Sequence, residues 1–214
     1  MKYYQHDFDS IEDYLHHRSP YLLLERIVEM GDQKIITETT VRGDEFFVVG
    51  HFPGAPILPG AMMQEMATQT AGVLLAAKYN PMQEFNTHDP LFNEWALGVL
   101  TKVNWAKYRG FARPGDTLRI SVELNEQIGA MFDFSAVISV GKAKIMQNSF
   151  RLANILSKTL QGEWSNGVIE LGLGPFYTPQ VFFAENHPNF EQQLWRFVNE
   201  SFAMVFNDVW FGEH

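Results

Sequence analysis

Apolar and polar positions along this 214-residue chain follow different periods in different stretches, and each period predicts an element. Ser10-Ile11-Glu12-Asp13 reads as a helix start, with Ser10 as N-cap and acids in the first turn. That helix should end near Arg18, because Pro20 disfavours helical geometry at Ser19. Tyr21–Met30 is apolar and strand-like. Lys34–Val41 alternates and is rich in Ile and Thr, so the two runs predict a hairpin turning at Gly31-Asp32. After Phe46–Val49 comes a stretch dense in Pro and Gly. Ala61–Tyr79 then offers good helix formers with apolar residues on nearly every side, which predicts a mostly buried helix stopped by Asn80-Pro81. Gly72 is its one weak point. Residues 81–94 are polar and loop-like. Trp95–Trp105, Thr117–Gln127, Met131–Val140 and Lys142–Ile155 read as four strands, with Gly129 and Gly141 at turns. This order of elements is α+β.

Past residue 156 the pattern changes. Gly162, Gly167, Gly172, Gly174 and Pro175 predict an irregular connector. Phe190, Leu194, Phe197, Ser201 and Val205 recur at helical spacing, predicting an amphipathic helix over Asn189–Val209. The expected organisation is one domain over 1–156 and an extension over 157–214. No internal repeat or low-complexity segment occurs.

Composition narrows the function classes. Hydrophobic residues make up 46% and charged residues 19%, enough for a sizeable core and against disorder. Eighteen Phe, seven Tyr and five Trp imply large apolar surfaces, such as an oligomer interface or a channel for a lipid-like group. The net charge of −9 disfavours a nucleic-acid partner. The absence of cysteine excludes disulfides, thiol nucleophiles and Cys-based metal sites. The start MKYYQHDFDS has no apolar core, so no signal peptide is expected. No apolar run reaches roughly 18 residues without polar groups, so a membrane partner is not expected either. A cytoplasmic protein is the default expectation.

The candidate chemistry sits where the pattern is most unusual. His51-Phe52-Pro53-Gly54-Ala55-Pro56-Ile57-Leu58-Pro59-Gly60 gives a single histidine a loop of one stiff path, because Pro fixes φ and Gly opens it. Fourteen residues after His51, the apolar helix carries one carboxylate, Glu65. An ionisable group in an apolar run is costly unless it is paired or used. A salt bridge from Glu65 to a nearby Arg is the plain structural reading. His16, His17 and His88 show neither i,i+4 pairing nor a carboxylate at metal-ligand spacing. They are read as non-catalytic, and no metal and no cofactor are expected.

These residues also resemble a family. His51-Phe-Pro-Gly-x-Pro-x-x-Pro-Gly60, followed by Glu65 and Gln69, resembles the signature of 3-hydroxyacyl-[acyl-carrier-protein] dehydratases of the FabZ/FabA type. His17-Arg18-Ser19-Pro20-Tyr21-Leu22-Leu23-Leu24-Glu25-Arg26 is similar to that family's opening motif. Ala106-Lys107-Tyr108 and Pro114-Gly115-Asp116 are similar to its later strand and turn. Together they cover about residues 10 to 155 in the expected order. The resemblance implies the hot-dog fold, an antiparallel sheet wrapped around a long central helix, and dehydration of a (3R)-hydroxyacyl thioester to a trans-2-enoyl thioester.

Dehydration needs a base for the C2 proton, an acid for the departing C3 hydroxyl, and stabilisation of the thioester oxygen. His51 suits the base, since neutral imidazole is available near pH 7. Glu65 suits the acid if burial keeps it protonated. A backbone N–H at or near Gly60 suits the oxygen. Gln69, one turn after Glu65, shares its face and is expected to orient Glu65 or a water. Phe52 and Pro59 complete the expected substrate-binding set. The resemblance further implies a dimer or higher homo-oligomer, with His51 of one subunit facing Glu65 of the other. The partner is an acyl-carrier protein or acyl-CoA substrate. Lys102, Lys107, Arg109 and Arg113, with Arg119 beyond them, form a basic stretch in an acidic protein. It is a candidate docking patch for an acidic carrier or for CoA phosphates, or else an ordinary solvated face.

The chain departs from the family in places. Gly43-Asp44-Glu45-Phe46-Phe47-Val48-Val49-Gly50 lacks the family's Asn and Pro before the histidine, and Gly110-Phe111 replaces an Arg-Pro. Residues 81–94 are an insertion. These changes bear on acyl-chain length more than on chemistry. Glu rather than Asp at 65 resembles the branch that does not isomerise the double bond. A hot-dog thioesterase and a non-catalytic acyl-binding subunit are the alternative functions.

Overall fold

The structure is a computed structural model that describes residues 1–88, 94–157, 163–165 and 168–170. The chain divides into two units, Met1–Gln161 and Gly162–His214. The first holds α1 (Ile11–Tyr14), β1 (Arg26–Met30), β2 (Lys34–Thr40), α2 (Phe46–Val49), α3 (Gly60–Lys78), β3 (Trp95–Tyr108), β4 (Thr117–Ile128), β5 (Met131–Val140) and β6 (Ala143–Leu156). The six strands form one sheet in the order β1-β2-β4-β5-β6-β3, antiparallel throughout. The sheet wraps around α3 as the hot-dog fold.

Local chemistry explains the elements. Ser10 caps α1, its hydroxyl accepting from the Glu12 N–H. β5 is buried at every second residue, Phe132, Phe134, Ala136 and Ile138, as expected of a sheet with one dry face. These residues join Leu118, Ile120, Val122, Phe150 and Leu152 of β4 and β6 in the core. Against them lies α3, buried continuously from Met66 to Ala77. A helix buried on all sides needs no amphipathic stripe, and its sequence shows none.

The structure shortens and adds elements relative to the sequence expectation. β1 starts at Arg26 rather than Tyr21, because the Tyr21 and Leu22 N–H groups bond the Arg18 carbonyl in a turn. Phe46–Val49, to which the sequence pattern assigns no element, is one helical turn. The expected irregular connector contains a short antiparallel pair, β7 (Glu163–Ser165) with β8 (Val168–Glu170). The helix expected over Asn189–Val209 lies outside the described residues.

Two features position the site. The first is a close approach of α3 and β3: a Cβ on Gly98, whose φ is 72°, would stand 3.2 Å from the Gly72 Cα. A Cβ on Gly72 would stand 3.2 Å from the Leu15 side chain. Gly72, the weak point of the helix by propensity, is thus where helix, strand and the segment after α1 meet. The second is the contrast between sheet edges. β1 is a five-residue, charged edge with a register shift between Ile27 and Glu29. β3 is a 14-residue edge paired, among the described residues, only with β6, and Val103, Trp105 and Tyr108 are exposed on it.

Candidate active site

His51 lies just after α2, and its ring position is set by the loop. The Pro-rich path turns back at Phe52, where the Ala55 N–H bonds the Phe52 carbonyl at 2.9 Å. Phe52 has φ 55°, the one left-handed residue other than glycine among those described, and its side chain is 61% exposed. The His51 Nδ1 lies 2.9 Å from the Ile57 carbonyl. A carbonyl only accepts, so Nδ1 carries the proton and Nε2 keeps its lone pair. That is the tautomer a base requires.

The loop ends at Leu58, whose N–H bonds the Ala112 carbonyl at 2.8 Å, and at Pro59, the N-cap of α3. Proline offers no side-chain cap, and α3 has no acid in its first turn. The Met62 and Met63 N–H groups turn back to the Pro59 carbonyl, while among the described residues those of Gly60 and Ala61 have no backbone acceptor. Two free donors at the positive end of a 19-residue helix suit a developing oxyanion. The Tyr108 ring covers Gly60: a Cβ there would stand 3.0 Å from Tyr108 Cε1.

Glu65 lies one and a half turns into α3, with its side chain only 15% exposed. Burial raises its carboxyl above the ordinary carboxylate range, and the hydrogen bond from Gln69 offsets part of that rise. The Arg partner of the plain structural reading is absent among the described residues. Gln69 takes its place. Its amide donates to the Glu65 Oε1 at 3.0 Å and to the Tyr21 carbonyl at 2.9 Å, while its oxygen accepts from the Leu23 N–H at 3.0 Å. The amide orientation is therefore forced by backbone groups on the segment before β1.

His17, set aside on sequence spacing, sits at the same place. Its Nε2 is 3.7 Å from Glu65 Oε1, and its ring stacks on Tyr21 with centroids 5.9 Å apart. Burial, aided by His16 and Arg18, lowers His17 to about 4. Burial first and then the Glu65 charge raise the Tyr21 hydroxyl. Arg18 ties down this segment by donating to the carbonyls of Leu15 and His17 and, across the fold, to Thr87. Thr87 belongs to the insertion read from sequence as a loop.

Glu65, Gln69 and His17 thus form one cluster and His51 with Phe52 another. No hydrogen bond or ion pair joins His51 to Glu65 among the described residues. Lys102, Lys107, Arg109 and Arg113 are exposed along β3 and just after it, with the Lys107 ammonium 5.5 Å above the Trp105 ring. Arg119 instead bonds Glu38 at 2.8 Å on the open face of the sheet.

Comparison with known proteins assigns the family. The FabA-like domain model matches residues 15–149. The chain is 30% identical over 135 residues to the 3-hydroxyacyl-[acyl-carrier-protein] dehydratase FabZ of Bacillus pumilus, covering 63% of this chain and 85% of that protein. It is 30% identical over 156 residues to the FabZ of Rickettsia rickettsii, covering 72% and 98%. Among solved structures, the dehydratase heterocomplex ApeI:P from Xenorhabdus doucetiae shares the fold, with a TM-score of 0.57 at 22% identity, over 71% of this chain and 95% of that one. The chain belongs to the FabA-like family.

Proposed function

We propose that this FabA-like protein removes water from a (3R)-3-hydroxyacyl thioester borne on acyl-carrier protein, leaving the trans-2-enoyl thioester. The observation that carries the reading is a buried Glu65 held above the usual carboxylate range, with one oxygen occupied by Gln69. A carboxyl whose charged form is disfavoured by burial is suited to give a proton to the departing hydroxide, which leaves as water.

His51 Nε2 takes the C2 proton. The electrons pass through the thioester carbonyl, whose oxygen is met by the Gly60 and Ala61 N–H groups. The C3–O bond breaks as Glu65 gives its proton to the hydroxyl. Water and the enoyl thioester leave; His51 is then imidazolium and Glu65 carboxylate, and one proton transfer between them through solvent restores both. Glu at 65 supports dehydration without isomerisation.

The two clusters suit a site shared between subunits. The long β3 edge, with exposed Val103, Trp105 and Tyr108, fits a second copy of the chain. His51 of one protomer would then meet Glu65 of the other. Lys107, Arg109 and Arg113 suit docking of an acidic carrier protein.

The test is turnover of a short and a long 3-hydroxyacyl-ACP. His51→Ala and Glu65→Gln should each cost at least about 100-fold in kcat. Mixing and re-equilibrating the two inactive variants should restore activity, because one mixed dimer carries one intact site. Either variant keeping most of its activity would refute the roles, and no rescue on mixing would refute the shared site. Release of free thiol would mark a thioesterase.

A further inference from the structure

Resting on the assignment of Glu65 as the acid, we infer that His17 is a positioning residue: its Nε2–H, together with the Gln69 amide, holds Glu65 Oε1 as an acceptor, so that the reactive proton resides on Oε2.

Geometry fixes the arrangement from both sides. Gln69 Nε2 donates to Oε1, and its other bonds leave it no freedom to flip. His17 Nε2 faces the same oxygen at 3.7 Å, longer than a formed hydrogen bond. Catalytic contacts are often this long when no substrate is bound. The opposite ring atom, Nδ1, is buried without a hydrogen-bond partner among the described residues. A buried N–H without an acceptor is the costlier orphan, so the proton belongs on Nε2, toward Glu65. Stacking on Tyr21 fixes the ring plane, and the bond from Arg18 to the His17 carbonyl fixes its backbone.

The charge state serves the same end. A protonated His17 would pull Glu65 toward carboxylate and remove the acid. Burial holds His17 neutral down to about pH 4. Among the described residues, the other groups facing Glu65 are Gln69, which is neutral, and Tyr21, whose hydroxyl is raised by burial. His16 and Arg18 disfavour the His17 cation from the chain itself. Gln69 therefore donates to Oε1, and His16 and Arg18 keep the His17 ring beside it uncharged. With Oε1 bonded by Gln69 and faced by His17, a proton on that oxygen would meet both donors head-on, and Oε2 is left to carry it.

Three variants and one spectrum test this. His17→Phe keeps the stack and removes the donor. His17→Gln returns an amide N–H near the position of Nε2. His17→Phe should lose about 10-fold in kcat with KM changed by less than about 3-fold. The alkaline limb of its kcat profile should move to higher pH, because a dipole that favours the carboxylate is gone. His17→Gln should recover most of the loss and return the limb. Equal damage in both variants with an unmoved limb would mean a packing role only, and would overturn the inference. Wild-type kcat in His17→Phe would do the same. In the unaltered protein, ¹⁵N shifts of His17 at pH 7 should show a neutral ring protonated at Nε2. A ring protonated at Nδ1, or an imidazolium, refutes the inference even if no variant folds. Glu65→Gln is the separate control: if it stays active, the acid assignment has failed, whatever His17 does.

Discussion

The His51 side and the Glu65 side of the candidate site are built in opposite ways. Among the described residues the His51 ring is hydrogen-bonded by backbone alone, a carbonyl six residues further along an exposed loop. Glu65 is held by side chains and main chain from far along the sequence: Gln69 on its own helix, and Tyr21, Leu23 and His17 from the segment before β1. A base must keep a free lone pair and be reachable. An acid that is to stay protonated must be dry. Water can be excluded only by assembling distant parts of the fold, whereas a tautomer can be set by one local carbonyl.

The largest test of that contrast is Gln69→Leu. It leaves the Leu23 N–H, the Tyr21 carbonyl and the Glu65 Oε1 without their partner. At about 1–3 kcal/mol for each buried orphan, stability should fall by roughly 3–5 kcal/mol in urea unfolding, with kcat down by more than about 100-fold. No single side chain on the His51 side should matter as much to folding; a loop substitution of equal cost would break the contrast.

Next in size is the pH dependence of the dry side. His16 and His17 are each lowered by burial from 6.5 to about 4. Between those values the unfolded chain binds the protons and the folded one does not. Stability should therefore be full above pH 6.5 and fall as pH drops toward 4, measured as a declining thermal midpoint. His17→Gln should flatten the decline. Glu65 works the other way. Its raised carboxyl disfavours the ionised folded state, so turnover and a part of stability should fall as pH rises through its shifted value.

Smaller effects belong to the exposed side. Gly60→Ala would bring a methyl to 3.0 Å from the Tyr108 ring. That ring is half-exposed and can yield, so stability should change by less than about 1 kcal/mol while kcat falls roughly 3- to 10-fold through the displaced N–H donors. Phe52→Gly relieves a left-handed conformation worth about 1 kcal/mol but loosens the loop by a similar amount. Melting should barely move, and activity should fall by a few fold.

The same division decides what could be read from the sequence. The His51 loop was legible because Pro and Gly act where they stand. β5 was legible to the residue, and β4 and β6 to within one, because alternation and turn glycines are local signals. β1 was read too long because the Tyr21, Leu22 and Leu23 N–H groups go to Arg18 and Gln69 rather than to a strand. His17 was passed over because its neighbour is 48 residues away in the chain. The only sequence signal for it was its place in the opening motif, which gives no geometry. Gln69 was placed on the correct face by its i+4 spacing, but its two backbone bonds needed the fold.

Gly72 carries a consequence for angular phase. A helix is a stiff rod, and seven residues along it is nearly two whole turns, about 10 Å. Gly72 is seven residues after Glu65, so whatever fixes the azimuth of one fixes the azimuth of the other. With Gly98 and Leu15 both close against Gly72, rotation of α3 at this point meets backbone and side chain. Leu15 lies two residues before His17, so the same contact sets the phase of the strand of chain facing Glu65. A residue with no side chain thus acts as the detent that keeps acid and neighbour in register.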